Sequence, residues 1–210
     1  MADASAATTR LLALIREEAS GVDTIAGLLD PLPHGERLVA VRSLGRADQR
    51  RLWHKAAQAA PLGMDDFVPP AVGRRAQVIH HGRNTLPLPS SQRLFQKRFC
   101  RPAEGDERLF GYNQAPSTGL IGPGYFVVIP TAGNSEWEAR GSIVVDYFQV
   151  PDADVVPGWP KVVPNSKGLQ RLVYFHTRDF MRRVSKQVTI GAAYKGEKAL
   201  DHYFMLVRED

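Results

Sequence analysis

The second half of the chain is built from short β-type segments with no long helix between them, and this pattern limits the fold most. From residue 94 onward, runs rich in Val, Ile, Phe and Tyr alternate with Gly, Pro, Asn and Asp. The first group favours strands and the second favours turns. We expect strands at Leu94–Phe99, Arg108–Tyr112, Tyr125–Ile129, Ser142–Val150, Leu172–Phe175, Val188–Tyr194 and Tyr203–Arg208.

The segment TRDFMRRVSKQ fits two structures. Phe180, Met181 and Val184 suit one face of a short helix, whereas the alternation along the same residues suits a strand. We favour a strand, because SKQ has the composition of a turn into the next strand. Seven or eight consecutive short strands predict an antiparallel sheet that curls or closes on itself.

The first half is different in character. Residues 1–60 contain several helical patterns that end at Gly or Pro, which predicts a small helical bundle. Residues 61–91 are rich in Pro and Gly and predict a linker or an arm that lies over other structure. Residues 92–210 are expected to form the antiparallel β domain. The expected fold class is therefore α+β, an N-terminal small helical bundle followed by an antiparallel β-barrel or strongly curled sheet.

Residues 122–151 predict a hairpin. Two apolar runs, Tyr125–Ile129 and Ile143–Val150, flank a polar stretch. Gly119, Gly122 and Gly124 precede the first run, but they lack the Lys followed by Ser or Thr of a phosphate loop and lead into a strand. We interpret these glycines as turn residues.

The order of motifs over residues 94–209 resembles the small bacterial lipocalin-like β-barrel domains, a calycin-like group. The motifs are LFQKRF, GYN, GPGYF, IVVDYFQVP, TRDFMRRV, TIGAAYKG and YFMLVRE. The resemblance implies an up-and-down barrel with an apolar interior that holds a small ligand or is filled by side chains. It implies non-catalytic binding of a small, largely apolar ligand.

Aromatic side chains would line the binding site of such a ligand, and a polar group would anchor the ligand. The candidate residues are Phe95, Phe99, Tyr112, Phe126, Asp146, Tyr147, Arg178, Arg182, Tyr194 and Phe204. Asp146 needs a partner if it faces inward, because an unpaired buried carboxylate is costly, and an arginine such as Arg178 or Arg182 is the natural one. The pair would close the base of the barrel or present charge to a ligand.

Residues with reactive side chains are few. His80 and His81 are neighbours, so in a strand they point to opposite faces, one packed and one solvated, and do not readily share a metal. Cys100 is the single cysteine, which excludes an internal disulfide. It is either a small core residue or the thiol of a Cys-His pair. If the protein is an enzyme, His80, His81 and Cys100 are the residues to test, but we expect no metal, no cofactor and no catalytic residue.

Charge suggests a second class of function. Residues 67–103 contain no acidic residue, and their cations are interleaved with aromatic residues, as in RLFQKRFCR. This composition is typical of single-stranded nucleic-acid binding. The cations of this segment are Arg74, Arg75, Arg83, Arg93, Lys97, Arg98 and Arg101.

Three further expectations concern partners and location. A filled core would favour a protein-interaction module that binds a protein partner through the N-terminal helices. No apolar run is long enough to span a bilayer, so we expect no membrane partner. The early Glu17 and Glu18 do not fit a signal peptide, and we expect a cytoplasmic protein.

Overall fold

The computed structural model describes residues 2–105 and 107–209. It confirms the α+β class, with helices followed by a closed barrel. The helices are α1 Ala2–Arg16, α2 Val22–Leu29, α3 His34–Arg42, α4 Arg46–Lys55, α5 Thr118–Ile121, α6 Ser135–Arg140 and α7 Gln170–Val173. The strands are β1 Val78–Asn84, β2 Leu94–Cys100, β3 Leu109–Gln114, β4 Phe126–Pro130, β5 Ile143–Asp146, β6 Thr177–Arg183, β7 Val188–Lys195 and β8 Lys198–Arg208.

The eight strands form a closed barrel in which each pairs antiparallel with its neighbours in sequence and β8 pairs with β1. Because the barrel is closed, each of these strands has a hydrogen-bonded neighbour on both sides. We call the end of the barrel that carries the loops 85–93, 115–125, 147–176 and 196–197 the upper end. The opposite end is the lower end.

The barrel interior is packed by glycine–phenylalanine pairs on neighbouring strands. Gly82 lies opposite Phe95, Gly111 opposite Phe126, and Gly191 opposite Phe204. A Cβ at each glycine would lie within 2.6 Å of the paired ring, so each ring occupies the space above a residue without a side chain. The rings thus fill the middle of the barrel.

The lower end is closed by the segment between the helices and β1. Leu62, Phe67 and Val68 are buried in the same apolar cluster as the inward side chains of the barrel. Arg183 of β6 holds this segment by two hydrogen bonds to the carboxylate of Asp66, at 2.6 and 2.7 Å. The first part of the segment predicted as an arm or linker therefore plugs the barrel, its middle part forms β1, and its last residues belong to the upper loop 85–93.

The helices cover part of the outer wall of the barrel. Side chains of α1 to α4 share one buried cluster with outward residues of β7 and β8, among them Ile190, Met205 and Val207. Arg182 donates to the backbone oxygen of Trp53 at 2.9 Å and lies over its ring, which joins β6 to α4. The long loop after β5 covers another part of the wall through Val155, Val156 and Trp159.

Most of the predicted strands are present, and the ambiguous TRDFMRR segment is β6. The strand predicted at Leu172–Phe175 is wrong, because residues 170–173 form α7. The strand predicted at Ser142–Val150 ends early, at Asp146, whose Oδ1 accepts a hydrogen bond from the backbone N–H of Phe148 and turns the chain. The polar stretch of the hairpin contains the short helix α6.

None of the helices in the described ranges has both the length and the apolar character needed to cross a lipid bilayer.

Candidate functional site

Four polar side chains meet inside the barrel, in its upper half. Lys97 of β2 is 1% exposed. Its Nζ donates to Asn113 Oδ1 at 3.1 Å, to Asp179 Oδ2 at 3.0 Å and to the Tyr147 hydroxyl. We call these residues the Lys97 cluster. Three acceptors satisfy the three N–H donors of an ammonium, so Lys97 is held as a cation and its charge is balanced by Asp179.

Aromatic rings enclose this cation. Nζ lies 4.9 Å from the ring centres of Phe126 and Phe204, 5.0 Å from that of Tyr147 and 5.9 Å from that of Phe95. The negative faces of such rings stabilise a cation, most strongly where water is absent. Small-molecule sites in proteins usually combine a lining of apolar side chains with a few polar groups, as the Lys97 cluster and its rings do.

Burial dominates the electrostatics of the cluster. It lowers the pKa of Lys97, an effect that Asp179 opposes. Burial, together with the charge of Asp179, raises the pKa of Tyr147 well above its ordinary value and that of Tyr174 to about 12. Both phenols therefore keep their protons at neutral pH, and Tyr147 remains a hydrogen-bond donor.

Tyr174 closes the barrel above the cluster. Its ring stacks on Tyr147, with ring centres 5.3 Å apart. Gly124, with φ +54°, faces the ring, and a Cβ there would lie 2.3 Å from it. A residue with a side chain at position 124 would therefore collide with Tyr174, so the glycine is required for closure.

Two buried amides hold the lid that carries Tyr174, which we define as residues 164–176. Asn165 donates to the backbone oxygens of Tyr125 at 2.7 Å and Tyr147 at 2.9 Å. Gln170 accepts from the backbone N–H of Gly124 at 3.3 Å and donates to Pro164. Gly168 and His176 flank α7 with positive φ, so the lid begins and ends its helix at sharp turns.

A depression of about 350 Å³ lies outside the wall near the upper end. It carries two guanidinium groups, those of Arg42 and Arg98, and the amides of Gln96 and Gln114. It is open to solvent, whereas the Lys97 cluster is enclosed.

The structure places the predicted ligand-binding residues on both faces of the barrel wall. Inward residues are Phe95, Phe99, Phe126, Tyr147 and Phe204. Outward residues are Tyr112, Asp146, Arg178, Arg182 and Tyr194. The inward group contains three of the rings that surround Lys97, together with Tyr147 of the cluster.

Asp146 and Arg178 do form a pair, with Asp146 Oδ1 3.3 Å from Arg178 Nε. The pair lies outside the barrel, where Arg178 is sandwiched between the rings of Trp137 and Phe148. Asp146 alternates with the inward Val145 and Tyr147, so its side chain leaves the wall on the other face. The inward carboxylate is that of Asp179, the next residue after Arg178.

The two neighbouring histidines point to opposite faces. His80 is buried between the rings of Phe67 and Phe99, with Nε2 2.9 Å from the backbone oxygen of Phe67. Burial lowers its pKa from 6.5 to about 3. His81 lies outside, 3.5 Å from Glu209. Within the described residues, no group of three His, Cys, Asp or Glu side chains is placed to hold a metal ion.

Cys100 is a buried residue of the outer wall, packed with Phe110 and Val127 beneath the long loop. Burial raises the pKa of its thiol to about 11, so the thiolate is scarce at neutral pH.

The cations of the basic segment are spread over the fold. Lys97 is in the interior, Arg101 pairs with Asp65 at 2.6 Å, and Arg75 lies 3.5 Å from Asp154. Arg74, Arg83 and Arg93 donate to backbone oxygens, and Arg98 to the side chain of Gln96.

From the sequence, Lys97 was predicted only as a cation of the basic segment, and neither Asn113 nor Tyr174 was predicted as a site residue. The signal for Lys97 was present, because Lys97 alternates in phase with Phe95 and Phe99, and both rings face inward. No comparable pattern marks Tyr174, whose position depends on how the lid folds back over the barrel.

Comparison of the chain with protein-family models, with curated proteins and with solved structures finds no match in any of the three. The class that the fold defines is a closed eight-stranded antiparallel β-barrel, which is compatible with a calycin-like barrel and with ligand binding.

Proposed function

We propose that the protein binds a small, largely apolar ligand that carries a hydroxyl group, at the upper end of the barrel, and that it belongs with the calycin-like binding domains. The observation that carries this proposal is the position of Tyr174, a phenol ring that lies over a buried polar cluster in an apolar box. A flat ligand with the shape of a phenol ring would occupy the space that Tyr174 fills, once the lid opens.

The free acceptor in the cluster favours a hydroxyl group. Among the described residues, the hydrogen bonds from Lys97 and Tyr147 to Asp179 both end on Oδ2, at 3.0 and 3.2 Å. Asp179 Oδ1 is left to accept a hydrogen bond from a ligand. An ether of the same shape cannot donate, so the site should discriminate between an alcohol and its methyl ether.

Opening the slot requires movement of the lid, not of the barrel wall. The rings of the glycine–phenylalanine pairs already pack around the cluster inside the wall, so the ligand would take the space that the Tyr174 ring now fills. Tyr174 competes with the ligand, and burial of an aromatic side chain of this kind is worth about 1.5–3 kcal/mol. Its removal should therefore tighten binding by roughly ten- to a hundredfold.

The test is a thermal-shift and calorimetric titration with phenols, alicyclic alcohols and their methyl ethers. We expect alcohols to bind the wild type better than ethers, Tyr174→Ala to bind alcohols more tightly, and Asp179→Asn to lose the preference for alcohols. Tyr194→Ala, which alters a tyrosine of the outer wall beside Phe180, is the matched control and should leave binding unchanged. Absence of binding to both the wild type and Tyr174→Ala would contradict the proposal.

The contacts in the structure give less support to the two other predicted functions, a protein-interaction module and a single-stranded nucleic-acid-binding protein. A protein partner at the N-terminal helices would meet a surface on which, among the described residues, Val39 is the exposed large apolar side chain. A nucleic-acid strand would meet cations that are paired or dispersed. Cytoplasmic location and a bacterial source remain predictions.

A further inference from the structure

The upper end of the barrel exposes several large apolar side chains on two short helices and the residues beside them. Leu120 of α5 is 76% exposed and Leu172 of α7 is 75% exposed. Leu169 and Val173, beside or within α7, are also exposed. We call Leu120, Leu169, Leu172 and Val173 the apolar rim.

The chain directly after α5 contacts α7, which brings the exposed leucines of the two helices near each other at the upper end. A Cβ at Gly122, directly after α5, would lie 2.6 Å from the side chain of Gln170 in α7. Gln170 also accepts a hydrogen bond from Gly124. An exposed apolar patch of this kind marks a binding surface in a folded protein.

The exposed charge at the upper end is predominantly positive. The loops and strand ends of the upper end carry five exposed cations, namely Lys161, Lys167, Arg171, Lys195 and Lys198. Loops 85–93 and 115–125 and residues 155–176 contain no acidic residue.

The remaining acids of these loops are directed elsewhere or are paired. Asp152 and Asp154 of the long loop pair with Arg108 and Arg75, which precede β3 and β1 at the lower end. Glu197 of the upper hairpin is shared by Arg140 and Arg178. The upper end therefore exposes leucine side chains together with cationic side chains.

From this combination we infer that the apolar rim docks on an anionic lipid bilayer, with the leucines inserted among the acyl chains and the lysines and arginines against the headgroups. Apolar insertion and attraction to anionic lipid act together in peripheral membrane binding. The sequence-based expectation of no membrane partner rested on the lack of a long apolar run, which does not bear on docking at a membrane surface. This inference does not depend on the ligand proposed above.

An anionic bilayer fits the surface better than a second copy of the chain. Two copies that met through this face would bring Lys167 and Arg171 of each copy together, and the segments that carry the rim, 115–125 and 155–176, contain no acidic side chain to compensate. Phosphatidylserine headgroups supply the missing negative charge and fluid acyl chains accept side chains that protrude singly.

The experiment is co-sedimentation of the full chain with vesicles of phosphatidylcholine that contain phosphatidylserine, compared with vesicles of phosphatidylcholine alone. We expect binding to the anionic vesicles only, and a decrease as the salt concentration is raised well above about 0.15 M. Leu120→Ser with Leu172→Ser should reduce the partition coefficient by roughly tenfold for each leucine. Lys167→Glu with Arg171→Glu should abolish the preference for anionic lipid.

Matched controls are available away from the rim. Val39→Ser changes an apolar side chain of α3 that is 54% exposed. Arg10→Glu with Lys186→Glu makes the same change of charge at exposed positions of α1 and of the turn between β6 and β7. Both controls should bind anionic vesicles as the wild type does.

Three results would overturn the inference: no binding to anionic vesicles, equal loss in rim and control variants, or equal binding to both kinds of vesicle. Sedimentation equilibrium without lipid adds a fourth. Self-association that disappears in the double leucine variant, with no vesicle binding by the wild type, would assign the rim to a second copy of the chain.

Discussion

Lys97 keeps its charge inside the barrel because each of its three N–H donors has an acceptor and Asp179 supplies the opposite charge. Removal of one partner leaves the other charged and unpaired, whereas removal of both does not. The pair therefore couples two strands that are far apart in sequence, β2 and β6.

We predict that Lys97→Met lowers the free energy of unfolding by about 3–5 kcal/mol, because Asp179 is left as an uncompensated buried carboxylate. The double variant Lys97→Met with Asp179→Leu should recover much of the loss. Urea denaturation followed by circular dichroism measures both. Lys186→Met, at an exposed lysine, is the control and should change stability by less than about 0.5 kcal/mol. Equal losses in the single and double variants would contradict the prediction.

The buried imidazole of His80 makes the free energy of unfolding depend on pH. Burial lowers its pKa to about 3 in the folded protein, from 6.5 in the unfolded chain, so the folded state disfavours the proton. The stabilisation is complete above the unfolded pKa and is lost as the pH falls from 6.5 towards about 3.

We predict that His80→Gln makes the free energy of unfolding less dependent on pH in this window. The amide of Gln can still donate to the backbone oxygen of Phe67 but does not titrate. The expected difference between the wild-type and variant curves, from about pH 7 to about pH 4, is on the order of a few kcal/mol. Parallel curves for the two proteins would show that His80 does not supply the effect.

At the scale of elements, the barrel depends on pairs formed across its strands. Gly191 and Phe204 are partners in the register of β7 and β8, and a Cβ at Gly191 would lie 2.1 Å from the ring. The strand alternation that puts Phe204 inside also puts Gly191 inside. Space for the ring exists only because the opposite residue has no side chain.

We predict that Gly191→Ala destabilises the protein by about 1–3 kcal/mol through overpacking, and that Phe204→Leu in the same chain partly restores stability. Gly27→Ala is the contrasting variant. Gly27 lies within α2, and a Cβ added there would meet no other atom within 4 Å, so alanine should stabilise the helix by about 0.5–1 kcal/mol. Thermal melts of the variants measure these changes. If Gly191→Ala left the melting temperature unchanged, the rings would have freedom to move.

Elements with regular patterns were predictable and the lid was not. Residue composition and alternation predicted most strands, because inward and outward side chains contact different surroundings on a closed wall, and the turn composition of SKQ correctly favoured a strand over the TRDFMRR segment. Leu172 and Val173 have strand-like composition, but they lie on a short helix and both side chains are exposed to solvent. Composition fails there because the contacts of Tyr174 and Gln170 with the barrel decide the conformation.

For the whole molecule, the helices and the barrel share buried surface. Leu52 and Trp53 of α4 belong to the same apolar cluster as Tyr203 and Met205 of β8. Residues 1–60 and 92–210 are predicted from the sequence to be separate regions, and truncation tests whether either folds by itself.

We predict that residues 61–210 expressed alone aggregate, since loss of α1 to α4 exposes Ile190, Met205 and Val207 to water. Addition of the 1–60 fragment during refolding should restore soluble protein. Size-exclusion chromatography of the two preparations measures this. A monomeric 61–210 fragment with the melting temperature of the full chain would show that the barrel needs no helical cover.

The sequence by itself determined the fold class and most strand positions, because β-branched and aromatic side chains at alternate positions favour a sheet with two different faces. The tertiary structure decided which face each polar residue uses and what lies beside it. Asp146 and Asp179 are both carboxylates beside Arg178 in the sheet or the chain, yet one lies outside against that arginine and the other inside against Lys97. The physical reason is the register of the strands. The closed barrel brings Lys97, Asn113, Tyr147 and Asp179 together from segments that are far apart in the chain, and the local sequence around each residue gives no information about the distances between their side chains.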